Sequence, residues 1–519
     1  MLIKILLNKF KNILTFKYFM EKNSLKKQLV KDSFWNFTST FLSRLGGLIF
    51  TIILARYLLP EKFGIYNLAI SVMLIFLTFA DLGLNTALIR FFSREYYGGD
   101  KKRARKYFQY LFSVKLLLTI IVGLILFVLA YPISVFIFKK PTLFIPIIIS
   151  SFYLFIFSLE GFFQSMFYII KKVNFIFIKE ILLQTLRISL VLISFYIIPL
   201  AYYVSSSIFV LILTSMVVTG FYLLLLRKLV PDLFIKSDSK INKKKLINFT
   251  FWVSIASIST VFFSYIDIMM IGIFISEASF TAFYRVAFSL VSGISGLFVF
   301  GSVLLSVFSQ ISKDRLDYAV NQVIKFLLIF SVPTAAGLAL LSKYIIVMIY
   351  GYEYLPASLP LFFLAFLIIE LVLEGLLLSL FSSQDKPKYY ARGVIVSTIL
   401  NVILNIALIF YLLQFSKIWA ITGAAIATLV SRYFHLGYLF YLMKKDLKIK
   451  IKIKNIIRPI ISAAIMYFIL QTFLVAKIAD INLLNGIGII LLGAIIYFIV
   501  LTLIKGISKI EIELIGTIF

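Results

Sequence analysis

The sequence predicts an all-α polytopic membrane protein of about fourteen transmembrane helices, built as two pseudo-symmetric six-helix lobes plus two C-terminal helices. Three observations carry this. The 519 residues are 62% hydrophobic and 17% aromatic, with a mean hydropathy of +1.04, a balance found in polytopic membrane proteins. Apolar runs long enough to cross a bilayer, which takes about 20 residues of helix, recur along the chain between short turns and basic linkers. Finally, segments of the first half return in the second at a near-constant offset.

Residues 1–32 hold eight lysines among leucine, isoleucine and phenylalanine. Lysine interrupts every candidate apolar core of a signal peptide, so the segment is read as a basic amphipathic stretch on the inner membrane surface. From Ser33 the chain runs apolar to Pro60, breaks at Glu61-Lys62-Phe63, and runs apolar again to Arg94. The break allows only a tight turn, which predicts a membrane hairpin. Arg44 sits near mid-span in its first arm and Asp81 deep in its second. A charge at the bilayer centre costs about 2.5–3.5 kcal/mol on insertion scales, so such groups face a polar interior.

Further spans are predicted at 108–132, 142–168, 178–199 and 203–226, completing a first lobe over 33–226. A basic linker, 227–248, leads to 249–275, 281–309, 321–349, 357–381, 391–413 and 418–442, a second lobe over 249–442. A second basic linker, 443–457, precedes a final pair and tail over 458–519, with spans at 458–476 and 484–504. With the N-terminus inside, 38 of the 52 basic residues fall in cytoplasmic segments, Lys171, Lys172 and Lys179 among them, and only five in outward turns. Lys and Arg concentrate on the cytoplasmic side of membrane proteins. Both termini are therefore expected inside, and the formal charge of +30 is a topology signal, not a nucleic-acid surface.

The repeat supports the two lobes. SLEGFFQSMF (158–167) returns as VLEGLLLSLF (372–381), and YNLAIS (66–71) as YRVAFS (284–289), at offsets of 214 and 218. Both matches pair a helix with the one six places later. Parallel halves of this kind are an alternating-access architecture.

The residue inventory narrows the chemistry. With no cysteine there is no disulfide framework and no thiol site. The single histidine, His435, cannot form a histidine-based metal site and is expected to be a satisfied interior or interfacial residue. No glycine-rich phosphate loop is evident, nor any outward loop able to hold a catalytic domain, so the chain is not read as an enzyme. Arg44, Arg90, Lys115, Arg187 and Arg285 are the candidate substrate-binding cations, since a guanidinium fork suits phosphate oxygens. Arg90, near a helix end, can instead snorkel. Glu160 and Glu374, at equivalent points of the repeat, are expected to form internal salt bridges. Asp267, Asn401, Asn405 and Thr428 are the candidate cation-binding set: an acid, two amides four residues apart on one helix face, and a hydroxyl. The alternative is plain interhelical hydrogen bonding.

FLSRLGGLIFTIILARYLLPEKFGIYNLAIS, followed by ADLGLNTALIRFFSRE, resembles the opening of Wzx-type oligosaccharide-lipid flippases. Their superfamily includes the lipid II flippase and the multidrug/cation antiporters. YIDIMMIGIFIS, TILNVILNIALI and ITGAAIATLVS extend the resemblance over nearly the whole chain. It implies a cationic cavity that receives a lipid-linked oligosaccharide on a polyprenyl phosphate or diphosphate, in the cytoplasmic membrane. Arg44 falls at the first-helix arginine position, and Arg285 approximately at an eighth-helix one; a second first-helix arginine is replaced by Phe50. The family's sodium site maps onto Asp267, Asn401, Asn405 and Thr428, with Asn405 standing where the lipid II flippase has an acid. No cofactor is implied beyond a coupling ion, Na⁺ or H⁺, and the chain is expected to be monomeric. Rival readings are a multidrug exporter of the same superfamily, a major-facilitator transporter, and a membrane-embedded glycan polymerase or ligase. If Arg44 and Arg285 were structural, Asp81 and Asp267 would be their available acidic partners.

The topology is directly testable: a reporter fused after Lys240 should read cytoplasmic, and one placed between Ser276 and Ser279 external. Exchange of the two results would refute it.

Overall fold

A single residue folds the first apolar stretch back on itself. In the computed structural model, which describes residues 24–298, 301–309, 311–473 and 483–507, Leu59 adopts φ 59° and ψ 167° and separates helix α1 (24–58) from α2 (60–81). The turn lies two residues before the expected Glu61-Lys62-Phe63 break. Pro60 accounts for the shift: its fixed φ and missing N–H suit the first position of a helix, so Glu61 to Phe63 already belong to α2. Most of the expected surface segment 1–32, and parts of 458–519, lie outside the described residues.

Four helices complete the first half: α3 (Lys101–Pro132), α4 (Phe144–Ile169), α5 (Asn174–Ile197) and α6 (Tyr203–Leu229). In the second half, α7 (Lys243–Phe274) is followed by α8 (Ser279–Ser295, resuming at Gly301–Phe308) and α9 (Lys313–Leu340). Next comes α10, in which Tyr352–Leu364 and Leu367–Ser383 meet at 48°. The chain then forms α11 (Pro387–Leu413), α12 (Lys417–Asp446), α13 (Lys454–Phe473) and α14 (Leu483–Leu503).

Several helices start well before their apolar run, because polar caps set the start. Asp100 accepts from Arg103 N at 2.9 Å and Asn242 from Lys245 N at 2.9 Å, each satisfying an N–H that a helix leaves unpaired. Among the described residues ten helices could cross a membrane by length and composition, or eleven if the bent α10 is one span, so the expected fourteen is not reached on that measure. The ten count 34–81 as one although Leu59 breaks it. They omit α5 and α12, which carry charge at Lys179, Glu180 and Arg187, and at Arg432.

The α1–α2 hairpin lies against the α7–α8 hairpin, and glycines set the separation. A Cβ at Gly64 would sit 1.9 Å from the carbonyl oxygen of Ala278, one at Gly272 2.4 Å from Leu68, and one at Gly293 2.8 Å from Leu48. At the end carrying both hairpin turns, the two halves are tied through helix termini. Glu61 accepts from Ala278 N and Ser279 N at the start of α8 (3.0 and 2.8 Å). Lys140 donates to the carbonyls of Gly272 and Ile275 at the end of α7 (2.6 and 2.8 Å), and Arg56 to those of Met348 and Ile349 (2.7 and 2.6 Å). Each charge meets the favourable pole of a helix. Beside them Lys417 and Ser276 bond Glu277 and hold its carboxyl down to about 2.

Because Gly64 faces backbone that cannot yield, Gly64→Ala should overpack this contact and cost about 1–3 kcal/mol, read as a lower melting temperature of the purified protein. Gly220→Ala, where nothing lies within 4 Å, should leave melting unchanged or raise it. Equal melting of the two variants would contradict the packing described.

Candidate functional site

Beneath the tied end, from Leu54 and Phe63 down to Asp81, Asn85 and Lys115, the halves enclose a cavity of about 740 Å³. Its walls come from α1, α2, α4, α5, α7 and α8, with α3 contributing Lys115 and α6 Thr214 and Ser215. Of the five cations singled out from sequence, Arg44, Lys115, Arg187 and Arg285 line it. Arg90 does not. Its guanidinium lies 4.4 Å from the ring of Phe249, a cation–π contact at a helix end.

Glycines bring the arginines in. The Gly46-Gly47 pair of α1 faces α5: a Cβ at Gly46 would strike the Gln184 amide at 2.4 Å, and one at Gly47 would lie 3.6 Å from Arg187 Nη2. Gly296 likewise leaves room for the Arg44 stem, 2.6 Å from where its Cβ would be. Arg44 donates to Ser295 Oγ at 3.2 Å and to the Ser292 carbonyl at 3.5 Å. Arg187 lies 4.6 Å from the ring of Phe50, the residue standing where the resemblance has a second first-helix arginine. Its Nε and Nη2 are buried without a hydrogen-bond partner.

The acids that could neutralise these arginines are engaged elsewhere. Asp81 binds Lys115 at 2.6 Å, so Lys115 is a paired structural cation rather than a free one. Glu160 and Glu180 both hold Lys179, at 3.3 and 2.7 Å. The sequence reading counted Lys179, at the edge of the predicted span 178–199, with the cytoplasmic cations; α5 begins earlier, at Asn174, and buries it at 4% exposure. The lysine was missed because Lys179 and Glu180 follow the basic turn Lys171-Lys172 so closely, although their place within the apolar run of 175–197 was the available signal. Glu160 thus forms an internal salt bridge as expected, and so does Glu374, 3.5 Å from Arg432. Among the described residues Arg44, Arg187 and Arg285 form no ion pair.

The candidate cation set does come together, away from the cavity, where α7, α8, α11 and α12 meet. Asp267 accepts from Tyr284 OH at 2.7 Å, Thr428 Oγ1 at 2.6 Å and Asn405 Nδ2 at 2.7 Å. Asn401 donates to Thr428 Oγ1 at 3.3 Å and to Ser431 Oγ at 3.2 Å. All four predicted residues are at most 3% exposed. The Oδ1 atoms of Asn401 and Asn405 are buried and unbonded. Turning either amide would present an oxygen beside the carboxylate, so the group fits a hard cation that takes oxygen ligands. Tyr284, absent from the predicted set, belongs to the repeated Tyr-x-x-Ala-x-Ser hexad, which was the signal for it.

His435 departs from expectation. It is fully buried, yet neither ring nitrogen makes a hydrogen bond.

An all-helical, multi-pass membrane protein with a cation-lined interior cavity is the class these features define. The chain belongs to the polysaccharide biosynthesis protein family, whose sequence model matches residues 29–312. It is 27% identical over 215 residues to the probable low-salt glycan biosynthesis flippase Agl15 of Haloferax volcanii, covering 40% of this chain and 44% of that protein. The match thus spans less than half the length of that curated relative. Its fold is similar to that of the lipid II flippase MurJ in an inward closed conformation, at TM-score 0.72 and 17% identity, over 90% of this chain and 97% of that one. An inward-facing multidrug resistance MATE family transporter of the MOP superfamily is also similar, at TM-score 0.58 and 16% identity, over 83% and 97%.

Proposed function

We propose that this chain is a flippase that moves an oligosaccharide linked to a polyprenyl phosphate or diphosphate from the inner to the outer leaflet of the cytoplasmic membrane. It works as a monomer with both termini cytoplasmic, by alternating access of the lobes 33–226 and 249–442 around the cavity. The observation that carries the reading is the set of three cavity arginines without a carboxylate partner, while Asp81, Glu160 and Glu180 are each paired with lysine. Membership of the polysaccharide biosynthesis family and the likeness to a probable glycan biosynthesis flippase support it.

The physical task is the sugar head. Each polar group left unsatisfied in hydrocarbon costs several kcal/mol, so a polyhydroxylated head group does not cross unaided. A hydrated cavity removes most of that barrier while the polyprenyl tail stays in lipid. Arg44, Arg187 and Arg285 receive the phosphate oxygens, each offering a planar fork. For a diphosphate, two charges moving outward across about 100 mV, inside negative, gain about 4–5 kcal/mol. Asp267, Asn401, Asn405 and Thr428 would hold Na⁺, which supplies a coupling gradient; with one acid in the set, H⁺ at Asp267 is the other coupling ion. A multidrug exporter for cationic compounds fits less well, because its cavity would have to place a cation beside uncompensated arginines.

Two measurements test this. Arg44→Ala and Arg285→Ala should express and melt like wild type, since neither strands an acid, but should lose most outer-leaflet appearance of the lipid-linked glycan in reconstituted vesicles. Lysine at either position should restore only part of it. Normal transport by the double alanine variant would remove these arginines as a head-group clamp. Separately, saturating sodium should stabilise the purified protein by about 2–3 kcal/mol at a hundredfold excess over Kd, and Asp267→Asn should abolish the effect. Melting indifferent to sodium against potassium would discard the sodium site and leave proton or voltage coupling.

A further inference from the structure

A second group of buried charge belongs neither to the cavity nor to the Asp267 set. Glu370 and Glu374, four residues apart on α10, face Arg432 and His435, three apart on α12. Arg432 Nη1 lies 3.7 Å from Glu370 Oε2 and 3.5 Å from Glu374 Oε2. His435 Nδ1 lies 3.7 Å from Glu374 Oε1, which also accepts from Tyr390 OH at 2.7 Å. One ligand-type atom each of Glu370, Glu374 and His435 falls within 4.8 Å of the other two. Glu370 and His435 are both at 0% exposure. Neither oxygen of Glu370 and neither nitrogen of His435 makes a hydrogen bond. Two fully buried side chains with unused polar atoms therefore converge beside the partly exposed Glu374.

We infer that Glu370, Glu374 and His435 form a proton-binding site, distinct from the Asp267 set and linked to it through α12. The charge count sets the ligand. With both carboxylates ionised and the imidazole neutral, one guanidinium leaves the group at net −1 with Glu370 and His435 fully buried, a costly state in such a site. One proton brings the group to neutrality, on Glu370 or as an imidazolium beside Glu374. A divalent metal ion would take it to +1 and would have to sit against Arg432, which already faces both carboxylates. The two further charges that act on the group are of opposite sign and offset each other. From α11 comes Tyr390, and from α12 Tyr433, which donates to the Phe366 carbonyl. Asp267 of α7 and Tyr284 of α8 act electrostatically on Arg432, and Arg44 of α1 on Glu374. Phe263 of α7 faces the guanidinium at 4.5 Å.

The link is structural. Thr428, Ser431, Arg432 and His435 follow one another along one face of α12. Asn401 bonds both Thr428 and Ser431, and Thr428 bonds Asp267. One helix face thus carries the carboxylate cluster at one end and the Asp267 set at the other.

His435 is the only histidine, so the full-length protein, purified without a histidine tag and labelled with ¹³C,¹⁵N-histidine, gives a single imidazole signal in detergent micelles. The expected result is one titration step between about pH 5 and 8. In Glu370→Gln the step should move to lower pH by about one unit or more, or vanish, because a carboxylate that shares the proton is gone. Glu374→Gln gives the same reading should the first variant fail to fold, and Asp238→Asn, in the linker, should leave the step where it is. No step in the wild-type protein would overturn the inference, as would a midpoint that stays at the wild-type value in both glutamine variants. A wild-type signal displaced by Zn²⁺ at fixed pH would overturn it in favour of a metal site.

Discussion

A charged group inside a membrane protein must be paired, hydrated or neutralised, and the way each buried charge here meets that demand shapes both halves. In the first half lysines do the pairing: Lys115 takes Asp81, and Lys179 takes both Glu160 and Glu180. The arginines that remain open onto the cavity, where water or an anion can satisfy them. In the second half, which lends Arg285 to the cavity, the imbalance away from the cavity is reversed. Asp267 is met only by neutral donors, and Glu370 and Glu374 share one guanidinium. One region is left short of negative charge and the other short of positive charge. On the proposed function an anionic cargo would answer the first shortage and small cations the second, and the protein's own ionic pairing would keep the two apart.

The cavity depends equally on what is missing from the helix surfaces. Gly46, Gly47 and Gly296 have no side chain where Gln184, Arg187 and Arg44 pass. A helix interior loses about 1 kcal/mol for each glycine in place of alanine. Here that loss lets long polar side chains lie between closely packed helices. Phe50 contributes in a different way, offering Arg187 a ring face that needs no charge of its own.

Hydropathy and spacing revealed the helices, because an apolar run in water has few alternatives to burial in lipid. They revealed the Asp267 set as well, since Asn401 and Asn405 share a helix face by their spacing alone and Asp267 is the one acid in its span. Helix starts were less legible: Asp100 and Asn242 cap polar turns that no hydropathy window marks. Partner choice was not legible at all. Whether Lys115 is free, whether Lys179 is buried against acids, and whether Arg90 reaches the cavity all depend on which helices become neighbours. The Arg432–His435 pair escaped for the same reason, since its acids lie some 60 residues away on another helix.

The ties at the hairpin-turn end are asymmetric in a way that bears on sequence drift. Glu61, Lys140 and Arg56 each supply a side chain, but what they grip is main chain: two amide N–H groups of α8, two carbonyls of α7, and the carbonyls of Met348 and Ile349. Peptide groups are the same whatever residue carries them. Ile275, Ala278 and Ser279 can therefore vary, proline apart, without erasing the latch, provided the helix ends keep their place, whereas Gly272, where a Cβ would strike Leu68, and the three charged residues opposite cannot. Heritable variation at this closure should accumulate on one of its two faces, leaving the other as the recognisable signature of the mechanism.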